Sequence, residues 1–237
     1  MREVILSVPV LTSPSQWPWW RAATHQQFIL LWIVLIHVTA GIGLLLYPLP
    51  GWPLFLTALL LAWLGGLGTT VCYPRALAHR ALHLHPVVRE LLIFFAMYNG
   101  SGAPLSWTAN HRLHHAAADT VNDISSPQVG GFWWAYVRWL WQAEKADPIR
   151  YCRDLKERSY RIWTLLQVPL LTLSFLIGAL FSMEAFFWLG AIRLVFALHG
   201  QCFVNSSPYA IRCLVAQYVV ILAFNRPQNV APLRKVS

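Results

Sequence analysis

The chain has 237 residues, of which 57% are hydrophobic and 11% charged. Soluble domains carry about 25% charged residues, so this composition excludes an ordinary water-soluble domain and points to the membrane. The net charge is +9, and eleven of the eighteen Lys and Arg fall between Tyr73 and Arg161. Lying between apolar segments, they argue for a membrane-adjacent basic surface and against nucleic-acid binding.

Four scattered cysteines (Cys72, Cys152, Cys202 and Cys213) contain no CxxC pair. That spacing excludes a zinc finger and a dense disulfide framework. Residues 1–27 form an N-terminal segment whose short apolar run is broken by prolines, unlike a cleaved signal peptide.

A span needs roughly 20 apolar residues. Phe28–Tyr47 and Trp52–Cys72 qualify, and the short uncharged link "PLPG" predicts an antiparallel hairpin. Val87–Tyr98 is apolar but short and carries Arg89 and Glu90, which predicts an interfacial or re-entrant segment. Arg138–Arg161 mixes charges with Trp139 and Trp141, the pattern of an amphipathic segment on the membrane surface. Ile162–Phe181 and Ala185–Val204, joined by "SME", complete a second hairpin. Arg193 falls inside the last span and must face protein or water.

Neither interhelix turn contains Lys or Arg, so the positive-inside rule places both termini and the whole Tyr73–Arg161 segment in the cytoplasm. The expected fold is an all-α integral membrane protein, with four transmembrane helices in two hairpins under a cytoplasmic histidine-box cap. Residues 28–207 form the membrane domain and 208–237 a divergent tail.

On that cytoplasmic side "NHRLHHAAAD" places His111, His114 and His115 at i, i+3 and i+4. HxxHH arises by chance about once in eighty chains of this length and histidine content. On a helix the three rings share one face and can converge. Imidazoles packed together without a common ligand are costly, which favours a metal; without thiolates, iron, copper and zinc all suit them. His79 and His83, at i and i+4, could do the same on another helix, whereas His25, His37 and His85, each taken alone, read as rings that only satisfy hydrogen bonds. Asp119 and Asp123 follow the cluster. They either orient metal-bound imidazoles through the second ring nitrogen or belong to a solvated loop with a helix cap.

The stretch "GSGAPLSWTANHRLHHAAADTVND" resembles the second histidine box of the membrane fatty acid desaturases, particularly the Δ9-type acyl-CoA and acyl-lipid enzymes. "GFWWAYVRWLW" is similar to the aromatic segment that follows it, and "LHGQCFVNSS" to the end of the last span. "YPRALAHR" aligns with the first box, HRxxxHR; the resemblance runs from about residue 69 to 207.

This resemblance implies a di-iron enzyme. It would use O2 and two electrons, from a ferredoxin or cytochrome b5-like donor, to introduce a Δ9 double bond into the acyl chain of an acyl-CoA or acyl-lipid. The cofactor carries that C–H chemistry. By the same resemblance the metal ligands are His79, His111, His114, His115 and Asn205, with Asp119 and Asp123 behind them and Trp107 at the substrate tunnel.

The chain departs from the family at three places. Pro74 stands at the leading histidine of the first box, and Tyr209 stands four residues after Asn205, where the family has another ligand. No histidine follows His199, so the third box, HNxHH, is absent. As replacements, His83 lies four residues past His79, about 6 Å along a helix axis in the wrong direction, and His199 lies six residues before Asn205, about 9 Å further into the membrane; ligation tolerates neither displacement. The resemblance stops after Ser207, where a frameshift or truncation is the expectation. A catalytically inactive remnant and a related histidine-box hydroxylase are the alternative readings.

Overall fold

A computed structural model describes residues 17–118 and 120–206. Four of its helices are long and apolar enough to cross a membrane: α1 (Gln27–Leu46), α2 (Trp52–Ala78), α9 (Arg158–Phe181) and α10 (Met183–Ser206). Between α2 and α9 lie α3 (Pro86–Tyr98) and α4 (Pro104–Ala116). The short helices α5 (Pro127–Gly130), α6 (Trp134–Arg138), α7 (Trp139–Gln142) and α8 (Pro148–Tyr151) follow. Large apolar side chains along the spans, among them Leu35, Leu60, Val168 and Leu180, are exposed. With no water in the hydrocarbon, helices that satisfy their own backbone are the form such segments take. The protein is an integral membrane protein.

Prolines near the helix starts (Pro53, Pro86 and Pro104) set the first turns, where a missing N–H costs nothing. Pro74 is different, because it lies inside α2. The chain accommodates it by widening residues Gly68–Ala78 into π-type turns, closed at the end by the His79 N–H on the Pro74 carbonyl at 2.8 Å. α2 therefore runs past the expected end at Cys72 and stops immediately before His79. Arg80, at φ 54°, turns the backbone out of the helix. His83 lies beyond that stop in irregular chain, which corrects the expectation that His79 and His83 share a helical face.

The segment 138–161, expected to be amphipathic and to lie on the membrane surface, is broken into short pieces. Ala143 is extended, Pro148 opens the short α8 behind an Asp147 cap, and the spanning helix begins at Arg158.

α10 packs against α1, α2 and α9, and α3 fits between α2 and α9. The Trp188 indole donates to the Tyr47 carbonyl at 3.0 Å, so the α1–α2 and α9–α10 connections lie at the same end of the bundle. The buried C-terminal half of α3 (Ile93, Ala96, Met97 and Tyr98) reaches into the bundle beside the wide turns of α2. Its last carbonyl, that of Tyr98, meets Arg193 of α10, which is 2% exposed.

The Arg193 guanidinium donates to the Leu189 and Tyr98 carbonyls (2.7 and 3.2 Å), to Asn99 Oδ1 and to Ser174 Oγ. It also lies 4.5 Å over the Tyr98 ring. Asn99 in turn donates to the Ala62 carbonyl at 2.9 Å. One polar knot thus joins α2, α3, α9 and α10. It closes only because residue 65 is glycine, since a Cβ there would stand 1.9 Å from Asn99 Nδ2.

Gly65→Ala is expected to destabilise the protein by roughly 1–3 kcal/mol through overpacking. Gly41→Ala on α1, where a Cβ meets nothing within 4 Å, should be neutral or stabilising by up to about 1 kcal/mol. Thermal unfolding of both variants in detergent checks the contrast.

Candidate metal centre

The histidine-bearing helix α4 starts at Pro104 and ends at Ala116, so His111, His114 and His115 occupy its last turns. His79 arrives from the stop of α2. The Nε2 atoms of His79 and His111 are 3.0 Å apart, and the rings of His79, His111 and His115 have centroid separations of 4.6–5.0 Å. One nitrogen from each lies within 4.8 Å of the others, close enough for a single ion. Trp107, assigned to a tunnel by resemblance, stacks on His111 at 4.7 Å and packs against Tyr73. Burial, reinforced by the neighbouring imidazoles, pushes His111 down to about 3, and His115 is lowered for the same reasons. Both rings are neutral at ordinary pH, the form that binds metal.

His114 does not join this group. Its Nδ1 donates to Asp123 Oδ1 at 2.7 Å, and Asp123 is only 4% exposed. That bond fixes the tautomer and leaves the Nε2 lone pair for a ligand. The expected convergence of all three α4 histidines is corrected: His111 and His115 turn towards His79, and His114 towards the 123–125 loop. Ser125 connects this second group to Asn205. The Ser125 N–H donates to Asp123, and its carbonyl accepts from Asn205 Nδ2 at 3.4 Å. The Ala135 carbonyl takes the other Asn205 hydrogen at 2.6 Å, so the amide oxygen is the atom left for a ligand. Asp119, Tyr209 and the 208–237 tail lie outside the described residues.

Arg112, the arginine between the histidines, was not singled out by sequence reasoning. It spends all five N–H donors. Nε and Nη2 donate to the last carbonyls of α2, Ala78 and Leu77, at 3.1 and 2.7 Å. Nη1 donates to the Tyr151 carbonyl at 2.7 Å, and both terminal nitrogens grip Asp154 at 2.6 and 3.0 Å. Arg112 thereby caps the helix that delivers His79, a favourable place for a cation. Five donors around one charge was the signal available in the sequence, but nothing there named the acceptors.

His199 lies in a third, separate group. His37 Nδ1 donates to the Ile33 carbonyl (2.6 Å), so its Nε2 accepts from His199 Nε2 (2.9 Å) and Tyr136 O–H donates to His199 Nδ1 (2.8 Å). This chain of bonds satisfies both rings and ties α1 and α10 to α6.

The donor set fits a metal. The imidazoles of His79, His111 and His115 suit a transition ion and leave coordination positions open.

A polytopic membrane bundle with a histidine cluster opposite its two tight turns is the class defined by fold and site. The chain matches no family profile. It is 30% identical over 161 residues to Delta-9 acyl-lipid desaturase 1 of Arabidopsis thaliana, covering 65% of this chain and 52% of that one. It is 30% identical over 168 residues to the sn-1 stearoyl-lipid 9-desaturase of Anabaena variabilis, covering 67% and 60%. It is 28% identical over 152 residues to the icosanoyl-CoA 5-desaturase of Limnanthes douglasii, covering 60% and 42%. The chain spans about half the length of these relatives. It belongs to the membrane fatty acid desaturase family.

Arg112→Lys removes the planar fork, and a lysine cannot serve both α2 and Asp154. The expected loss is about 1–3 kcal/mol of stability. A cobalt titration should report about 10- to 100-fold weaker metal binding at the cluster. The hydrogen bonds from Arg112, followed by those from Arg80, hold the Asp154 carboxyl well below the usual carboxylate range. Its contribution is therefore present above about pH 4 and is lost as pH falls further. Acid unfolding of Asp154→Asn should show a shallower limb below about pH 4 than the unchanged protein.

Proposed function

We propose that the protein is a fatty acyl desaturase, with a double bond placed at Δ9 in the acyl chain of an acyl-CoA or acyl-lipid. The observation that carries this reading is the convergence of His79, His111 and His115 at the stop of α2. His114 and Asn205 stand alongside, and the spacing matches the family's second histidine box. His79, His111 and His115 would hold one iron, and His114 and Asn205 would contribute to a second. The bound metal would supply the O2-dependent oxidation that no side chain performs. This chain's own residues keep His111 and His115 neutral, fix the His114 tautomer through Asp123 and hold His79 in place through Arg112.

A ferredoxin or cytochrome b5-like protein would deliver the electrons. The Lys and Arg distribution supports a cytoplasmic position for the histidines and both termini. Pro74 favours a second reading, in which the metal-binding shell persists without turnover, because proline offers no ligand where the family's first box begins.

One experiment separates the readings. The full chain and His111→Ala are expressed in membranes supplied with a saturated acyl substrate and a donor. Bound iron and the unsaturated product are then measured on the same preparation. A product lost in His111→Ala establishes the desaturase. Iron lost in His111→Ala, with no product from either chain, establishes the retained shell. A product that survives His111→Ala refutes both assignments of the cluster.

A further inference from the structure

The segment leading into α9 holds charges that the histidine site does not use. Residues 150–161 contain Arg150, Arg153, Lys156, Arg158 and Arg161 against two carboxylates, Asp154 and Glu157. Both carboxylates are committed to other elements: Asp154 to Arg80 and Arg112, and Glu157 to Arg89 of α3. Arg153, Lys156, Arg158 and Arg161 are exposed and make no ion pair among the described residues. Two of them, Arg158 and Arg161, sit in the opening turn of α9, where the helix dipole is already positive. Glu157, at the cap position, makes no side-chain cap because its carboxylate faces Arg89. Among the described residues nothing compensates this local field, which calls for an anion from another source.

The surroundings identify its source. Ile149 is 81% exposed beside Arg150, and Ile162 and Leu165 are exposed immediately after the α9 arginines. Cations followed within one turn by outward apolar side chains fit a ligand with a phosphate and hydrocarbon tails. Depth agrees. α9 has 24 residues, about 36 Å of helix against about 30 Å of hydrocarbon, so about one turn remains for the headgroup layer. The Asp154 clamp fixes this segment to Arg112 of α4, so the layer concerned is on the histidine side.

We propose that Arg153, Lys156, Arg158 and Arg161 form a binding surface for the phosphate headgroups of anionic phospholipids in the leaflet on the histidine side. This surface rests on the membrane architecture and is independent of desaturase chemistry. It couples lipid composition to the segment that braces α2 and α4.

The full chain, purified in neutral detergent, is titrated with phosphatidylglycerol or phosphatidylcholine while thermal unfolding is followed. Phosphatidylglycerol is expected to raise the unfolding temperature, and phosphatidylcholine is not. Each basic residue near an anionic surface strengthens binding about fivefold, so Arg158→Gln/Arg161→Gln should weaken the apparent affinity about 25-fold. Added salt should weaken the phosphatidylglycerol response of the unchanged protein, a test that needs no substitution. Equal responses to the two lipids, an unaltered affinity in the double variant, or a response indifferent to salt overturns the proposal. Protection by soluble coenzyme A without any response to phosphatidylglycerol also overturns it and reassigns the surface to a soluble phosphate ligand.

Discussion

A guanidinium buried among apolar helices is tolerable only where its surroundings meet it with oxygen, and Arg193 imposes that condition on this bundle. The Tyr98 carbonyl and Asn99 lie at the end of α3, so α3 must enter the bundle for Arg193 to be satisfied. Asn99 must then approach the α2 backbone, which glycine at 65 permits. Leaving any of these buried groups unpaired would cost about 1–3 kcal/mol. The short helix between two spans is thus anchored by charge as well as by its apolar face.

The histidine site depends on that anchoring through α2. Its buried wide turns (Cys72, Tyr73 and Leu77) pack with Ile93, Ala96 and Met97 of α3, and the same turns deliver His79. Arg112 meets them from the other side. Two arginines thus act at the ends of two neighbouring helices, Arg193 on α3 and Arg112 on α2, and each answers carbonyls that a helix terminus leaves unpaired. The cluster is held between a buried knot and an interfacial clamp.

Much of this was legible in the sequence. Apolar runs of spanning length marked four helices, and HRLHH marked the site, because both are local patterns. What stayed hidden was the result of long-range pairing. Arg193 announced that it needed partners, yet Asn99 and Ser174 lie 94 and 19 residues away. The division of the α4 histidines was hidden because i, i+3 and i+4 spacing describes a common face, whereas a carboxylate nine residues on turns His114 away. The breaks within 138–161 come from Pro148 and the Asp147 cap before it, which set a new helix start inside the segment.

The wide turns of α2 bear on how far this chain stands from a fuller ligand set. In an α-helix, positions 74 and 79 would diverge by well over a quarter turn. A five-residue hydrogen-bonded repeat instead closes one turn between them, as the His79 N–H on the Pro74 carbonyl records. Within these turns residue 74 stands one turn above His79 on nearly the same side. Because the same turns accommodate Pro74, the backbone that brings position 74 over His79 and a side chain that cannot ligate there occur together.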